Sequence, residues 1–167
     1  MDSKRLSDKV LAVLNKQINW ELYSGYLYLS LSAYFEDRSF KGFARWNRIQ
    51  AAEEVKHAMK IFDYVNARFG RVVLEQVQKP PFEFKSILDG FNAAFEHEKF
   101  NTSHIYECLA VAQAENDPAT VNFLQWFVGE QVEEEEQAGE IVAKLEMLKE
   151  FPPALMFLDA KLGAREE

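Results

Sequence analysis

Cysteine is almost missing from this chain of 167 residues: Cys108 stands alone. A single thiol excludes an intramolecular disulfide and any four-cysteine iron or zinc site, and it suits a reducing compartment. Positive charge is scarce as well. The 19 Lys and Arg are outnumbered by 27 Asp and Glu, for a net charge of −8. No basic patch breaks that balance, so nucleic acid is not an expected partner, whereas cations are. No run is apolar enough to cross a bilayer: the longest uncharged stretch, residues 22–35, is short and rich in hydroxyls. The opening MDSKRLSDK lacks the apolar core of a secretory signal. These absences predict a cytoplasmic protein with no membrane partner. Strand-type alternation is missing beyond the brief Val72-Val73-Leu74. There is no internal repeat and no low-complexity tract beyond residues 133–136.

What remains is helical periodicity. With 48 % apolar residues, the chain can fill one domain, 1–167, around a substantial core. The spacing predicts an all-α fold with helices over about 7–37, 41–68, 86–115, 118–149 and 154–162. Ser7 is a plausible N-cap, and Gly70 supplies a stop for the second helix. Asp117-Pro118 starts the fourth, and Phe151-Pro152-Pro153 ends it ahead of a short fifth. The four long helices would each be roughly 45 Å in length. The first and third connections are only a few residues, which forces antiparallel neighbours. The second connection, residues 70–85, would reach roughly 50 Å when extended. It can carry the chain back along the whole bundle, so the second and third helices can run parallel.

The core stripe of each helix is interrupted at mid-height. The first reads Leu11, Leu14, Ile18, Glu21, Tyr28 and Phe35, and the second Phe43, Trp46, Gln50, Glu54, His57, Ile61 and Tyr64. The third reads Phe91, Phe95, Glu98, Ile105 and Leu109, and the fourth Leu124, Phe127, Gln131, Glu134, Ala138, Ile141 and Leu145. Any one of these acids could sit at a stripe edge and face water. For Glu21, Glu54, His57, Glu98 and Glu134 together, four helices would need the same lapse at the same level. Residues three apart share a helix face, so Glu54 and His57 form a Glu-x-x-His pair. Buried carboxylates need a compensating positive charge, and a pair of metal ions supplies it. Four carboxylates and one imidazole make a hard, anionic ligand set suited to iron rather than a tetrahedral sulfur site. A bridging carboxylate can hold two ions ~3.5–4 Å apart. In place of a second Glu-x-x-His stands Gln131-x-x-Glu134. The site should therefore be lopsided, which favours release of oxidised iron over its retention.

The stretches INWELYSGYLYL, AEEVKHAM, EHEKF and FLQWFVGEQVEEE resemble those of non-haem prokaryotic ferritins, and the resemblance covers nearly the whole chain. It implies a ferritin-like four-helix bundle with one long crossover and a short fifth helix. It further implies an iron-storing subunit with ferroxidase activity, taking iron(II) and dioxygen or hydrogen peroxide, in a homo-oligomeric cage commonly of 24 subunits. In the family pattern Glu21, Glu54 and His57 would hold one iron, and Glu54, Glu98 and Glu134 the second, with Gln131 beside them. Glu53, Glu130 and Glu133, with Glu134 shared, match a third iron position. Tyr28 matches a tyrosine close to that centre, and its residue-level reading stays open between core packing and a redox or proton-transfer role. Position 55, where haem-binding relatives carry Met, is Val55, so no haem is expected. The alternative is a rubrerythrin-like peroxidase or oxidase that keeps its di-iron centre, although one cysteine is too few for its usual rubredoxin segment.

Weaker signals accompany these. Glu135 and Glu136 read as solvated charge, His97 and His104 as surface or interface residues, and Cys108 as a small buried hydrophobe. Trp20, Tyr23, Leu27 and Tyr34 form a second apolar line that either broadens the core or makes a subunit contact, joined there by Phe82 and Phe84 of the crossover.

Overall fold

The computed structural model describes residues 5–166. Its elements are α1 (Asp8–Asp37), α2 (Lys41–Ala67), α3 (Ile87–Ala114), α4 (Pro118–Leu148) and α5 (Pro152–Gly163), with no strand among the described residues. Val72-Val73-Leu74 lies in irregular chain.

Local chemistry sets the helix starts. Ser7 accepts from the Val10 amide, Ser86 from that of Asp89, and Asp117 from that of Thr120, with Pro118 where no donor is needed. Asp117 also receives Arg68 through two parallel hydrogen bonds of 3.1 and 3.2 Å, which ties the end of α2 to the start of α4. Prolines 152 and 153 open α5 instead of preceding it, because a first turn leaves its amides unused. The expected start at 154 is thus two residues late.

The helix ends follow one rule that differs from expectation. α1, α2 and α3 each close with the paired backbone bonds of a Schellman turn, and the left-handed residues are Ser39, Phe69 and Asn116. No glycine takes a positive φ among the described residues. Gly70 serves packing instead: a Cβ there would lie 2.9 Å from Val65 and 3.0 Å from Leu11.

The crossover is bonded along α1. Asn15 donates to the Arg71 carbonyl and accepts from the Val73 amide, Ser30 donates to the Pro81 carbonyl, and Tyr34 to that of Phe84. It therefore climbs from the N-terminal to the C-terminal part of α1, and α3 starts back down parallel to α2. Leu27 and Tyr34 of the second apolar line are buried within the chain, and Phe84 packs edge-on against Tyr34, whereas Phe82 stays exposed.

Two apolar cores result. One joins Leu31, Phe35, Phe43, Phe91, Leu145 and Leu158; the other joins Leu14, Ile18, Ile61, Ile105, Leu124 and Phe127. Between them lies a layer of buried polar side chains contributed by α1 to α4.

α2 has no cap from its own N-terminal residue; Asp159 of α5 accepts from the Phe43 amide at 2.8 Å instead. The two helices meet so closely that a Cβ on Gly42 would lie 1.7 Å from the Asp159 carbonyl oxygen. Gly42→Ala is expected to cost about 1–3 kcal/mol by overpacking and to loosen α5. Limited trypsin digestion should then cut at Lys161 much faster than in the unsubstituted protein; equal rates would contradict this account of the junction.

Candidate metal centre

The polar layer is a cluster of acids at the level the stripes predicted. Glu21, Glu54 and Glu98 are fully buried, Glu134 is 4 % exposed and His57 6 %. Potential ligand atoms of Glu21, Glu54 and His57 lie within 4.8 Å of one another, as do those of Glu54, Glu98 and Glu134. Glu54 belongs to both groups. His57 Nδ1 is 3.5 Å from Glu54 and 3.9 Å from Glu21.

Neutral donors hold the outer acids. Gln17 donates to Glu21 Oε1 at 2.9 Å, and Asn101 approaches Glu21 Oε2 at 3.3 Å. Gln17 also bonds Asn101 at 2.7 Å, so the two amides act as one clamp from α1 and α3. The Tyr28 hydroxyl donates to Glu98 at 2.6 Å, and Gln131 reaches the other Glu98 oxygen at 3.2 Å. Gln50 donates to Glu134 at 2.7 Å. Neither oxygen of Glu54 receives a hydrogen bond from the described residues. Its neighbour Glu21 could share only a proton with it. A buried, donorless carboxylate placed between two acid groups fits a bridging ligand of two hard cations.

Burial and mutual repulsion keep protons on this cluster. Burial, then the charges of Glu98, Glu21 and Glu134, push Glu54 well above the ordinary carboxylate range. Burial lifts Glu98 to about 7 against the pull of the Tyr28 and Gln131 hydrogen bonds. Burial and the Glu98 charge lift Glu134 to about 8 against the Gln50 bond. Tyr28 stays a phenol, raised by burial and by the adjacent acids.

The acids matched to a third position separate. Glu130 lies 3.7 Å from His57 Nε2 and joins a group with His57 and Glu134. Glu53 is bonded to Arg165 at 2.8 Å, and Glu133 is exposed and outside every such group of described residues. Glu136 is exposed, but Glu135 accepts from Thr102 at 2.6 Å and is not simply solvated. His97 corrects the surface expectation. It is 9 % exposed and bonded to Ser24 at 2.7 Å, and burial holds its pKa at about 4, so it is neutral. His104 is half-buried, stacked on Trp20. Burial pushes the Cys108 thiol up to about 12. The stripes had marked Gln50 only as a polar interruption and missed Gln17 and Asn101, although each stands one helical turn from a candidate ligand. They also missed Trp126, whose ring packs edge-on against His57.

The Ferritin-like domain profile matches residues 11–148. A probable bacterial non-heme ferritin-like protein of Haemophilus influenzae is 39 % identical, covering 95 % of this chain and 96 % of its own. A bacterial non-heme ferritin of Bacteroides fragilis is 38 % identical, covering 96 % and 99 %. Among solved structures, an open pore ferritin from the archaeon Archaeoglobus fulgidus superposes with a TM-score of 0.95 at 50 % identity, covering 96 % and 99 %.

Because Glu98 and Glu134 titrate in the fold near 7 and 8 rather than at 4.5, the folded chain holds protons that the unfolded chain releases. That contribution is complete below about pH 4.5 and is lost as the pH rises through 8. The melting temperature of metal-free protein should fall across this window, and a saturating divalent metal should flatten or reverse the slope. A metal-free profile that rises throughout would contradict it.

Proposed function

This chain belongs to the ferritin family, and from that premise we propose that it stores iron, oxidising iron(II) at the buried cluster before laying it down as iron(III) oxyhydroxide. Iron here is substrate and cargo. One iron(II) would bind Glu21, Glu54 and His57, and the other Glu54, Glu98 and Glu134. Gln131 would stand beside the second position. The observation that carries the reading is Glu54, a buried carboxylate shared by both groups whose oxygens receive no hydrogen bond from the described residues.

The protein's part is to bind, orient and move protons. Gln17 and Asn101 fix the Glu21 carboxylate, and Tyr28 and Gln131 fix that of Glu98, all without adding charge. These neutral donors orient the ligands yet leave the negative charge for the incoming cations. Protons held by Glu54, Glu98 and Glu134 leave as the ions bind, so loading tightens as pH rises. Two iron(II) ions give up one electron each, and dioxygen takes both electrons with two protons to leave as hydrogen peroxide. The pairing within one dry layer lets both electrons be delivered together. The second position has Gln131 in place of a histidine, which weakens its hold on oxidised iron and favours onward release. The half-buried Glu130, close to both His57 and Glu134, is a route outward from the cluster. Glu53 and Glu133 would take part only after rearrangement.

Exposed apolar side chains support assembly into a hollow homo-oligomer, for which we propose the family's 24 subunits. Tyr26, Leu29 and Phe82 form one patch beside the crossover, and Phe151, Met156 and Phe157 are each exposed on or next to α5. No helix of the described residues is long and apolar enough to cross a membrane.

Glu54→Ala and His57→Ala should each lower the initial rate of aerobic iron(II) oxidation by more than about 100-fold, beyond the loss typical of residues that merely support a ligand. Rates equal to the unsubstituted protein's would sink the assignment. Aerobic loading should also raise particle mass far beyond about two irons per chain, where a retained two-metal cofactor would stop.

A further inference from the structure

Glu53, at the edge of the acid cluster, already has a cation. Arg165 donates from Nη2 to Glu53 Oε2 at 2.8 Å and from Nη1 to Gln50 Oε1 at 2.6 Å. The same Gln50 donates its amide to Glu134. The guanidinium is thus one amide away from a carboxylate of the buried cluster.

Several contacts deliver it there. Asp159 caps α2 at Phe43, and Gly163 sits so close to α2 that a Cβ would lie 2.7 Å from the Gly42 Cα. α5 is therefore fixed on the N-terminal part of α2, and the residues after it run along α2 toward Gln50. The guanidinium carbon then lies 5.2 Å from the Trp46 ring centroid, and Arg45 donates to the Arg165 carbonyl at 3.3 Å. The Arg165 side chain is only 21 % exposed.

Two oxygen acceptors converging on one positive group are also of the donor type that a hard metal ion takes, and could form part of its shell. Glu53 Oε2 and Gln50 Oε1 meet at the two guanidinium nitrogens, with Glu134 behind Gln50. We infer that Arg165 is a tethered cation competing with metal ions for Glu53 and Gln50, so that the C-terminal arm decides whether the cluster accepts an ion beyond the pair inside the bundle. While the arm is docked, the Glu53 carboxylate is ion-paired and its Oε2 is committed to Arg165. When it lifts, a carboxylate and an amide oxygen become available together beside Glu134, and Gln50 is free to reorient. This rests on the metal-binding reading of the cluster, but it makes a separate demand on the tail.

Calorimetric titration of the intact, metal-free protein with Zn(II), which is redox-inert, tests it without reference to oxidation. Arg165→Ala should bind about one additional ion per chain, or bind its weakest ion at least ~10-fold more tightly, the scale of a lost charged hydrogen bond. Truncation after Ala164 should give the same gain, which guards against a folding defect peculiar to the substitution. Adding Glu53→Gln to Arg165→Ala should abolish it. Identical isotherms for the unsubstituted protein and both Arg165 variants would overturn the competition while leaving the buried pair intact. A gain that survives Glu53→Gln would overturn it as well. Absence of tight binding in every protein would instead overturn the reading of the cluster on which it rests.

Discussion

Glu54 is fully buried among Glu21, Glu98 and Glu134, and among the described residues neither of its oxygens receives a hydrogen bond. An ionised carboxylate in such a setting is costly enough that it must hold a proton or meet a cation. The surrounding architecture makes sense as a means of keeping that choice open. Apolar cores on both sides exclude water, and the four long helices fix the spacing of the acids. The electrostatic cost of the middle layer is carried by the packing above and below it.

The supporting side chains differ in kind according to where they stand. Inside the layer they are neutral: two amides on Glu21, a phenol and an amide on Glu98, an amide on Glu134. A lysine or arginine in any of these places would satisfy the acid permanently and remove its attraction for metal. At the rim, by contrast, a full positive charge appears, where Arg165 meets Glu53. The boundary between neutral and charged partners thus separates acids kept available from an acid held in check.

Much of this could be read from residue order, for identifiable reasons. Helix starts depend on side chains three residues away, so Ser7 and Asp117-Pro118 were visible in one dimension. The level of the cluster was visible because the same polar break recurs in four stripes with strong periodicity. What could not be read depends on distant chain segments. Ser24 lies 73 residues from the His97 it bonds, and nothing near His97 signals that burial. Asp159 caps a helix that begins more than a hundred residues earlier. Glu53, Glu130 and Glu133 look alike as letters, yet one meets a guanidinium, one nears an imidazole and one faces outward. Gly70 departs from expectation for a subtler reason. Its type suggests a left-handed turn, but the neighbouring Phe69 adopts that conformation and glycine is needed only for room.

That reversal at the end of α2 has a practical side. A phenylalanine in the left-handed region carries a penalty on the order of 1–2 kcal/mol relative to a relaxed backbone. Its ring is 65 % exposed and contributes little packing in return. Ser39 and Asn116 sit in equivalent strained joints, remote from the acids. The scaffold therefore keeps an engineering reserve at its corners, where it can be toughened without disturbing the chemistry in its middle.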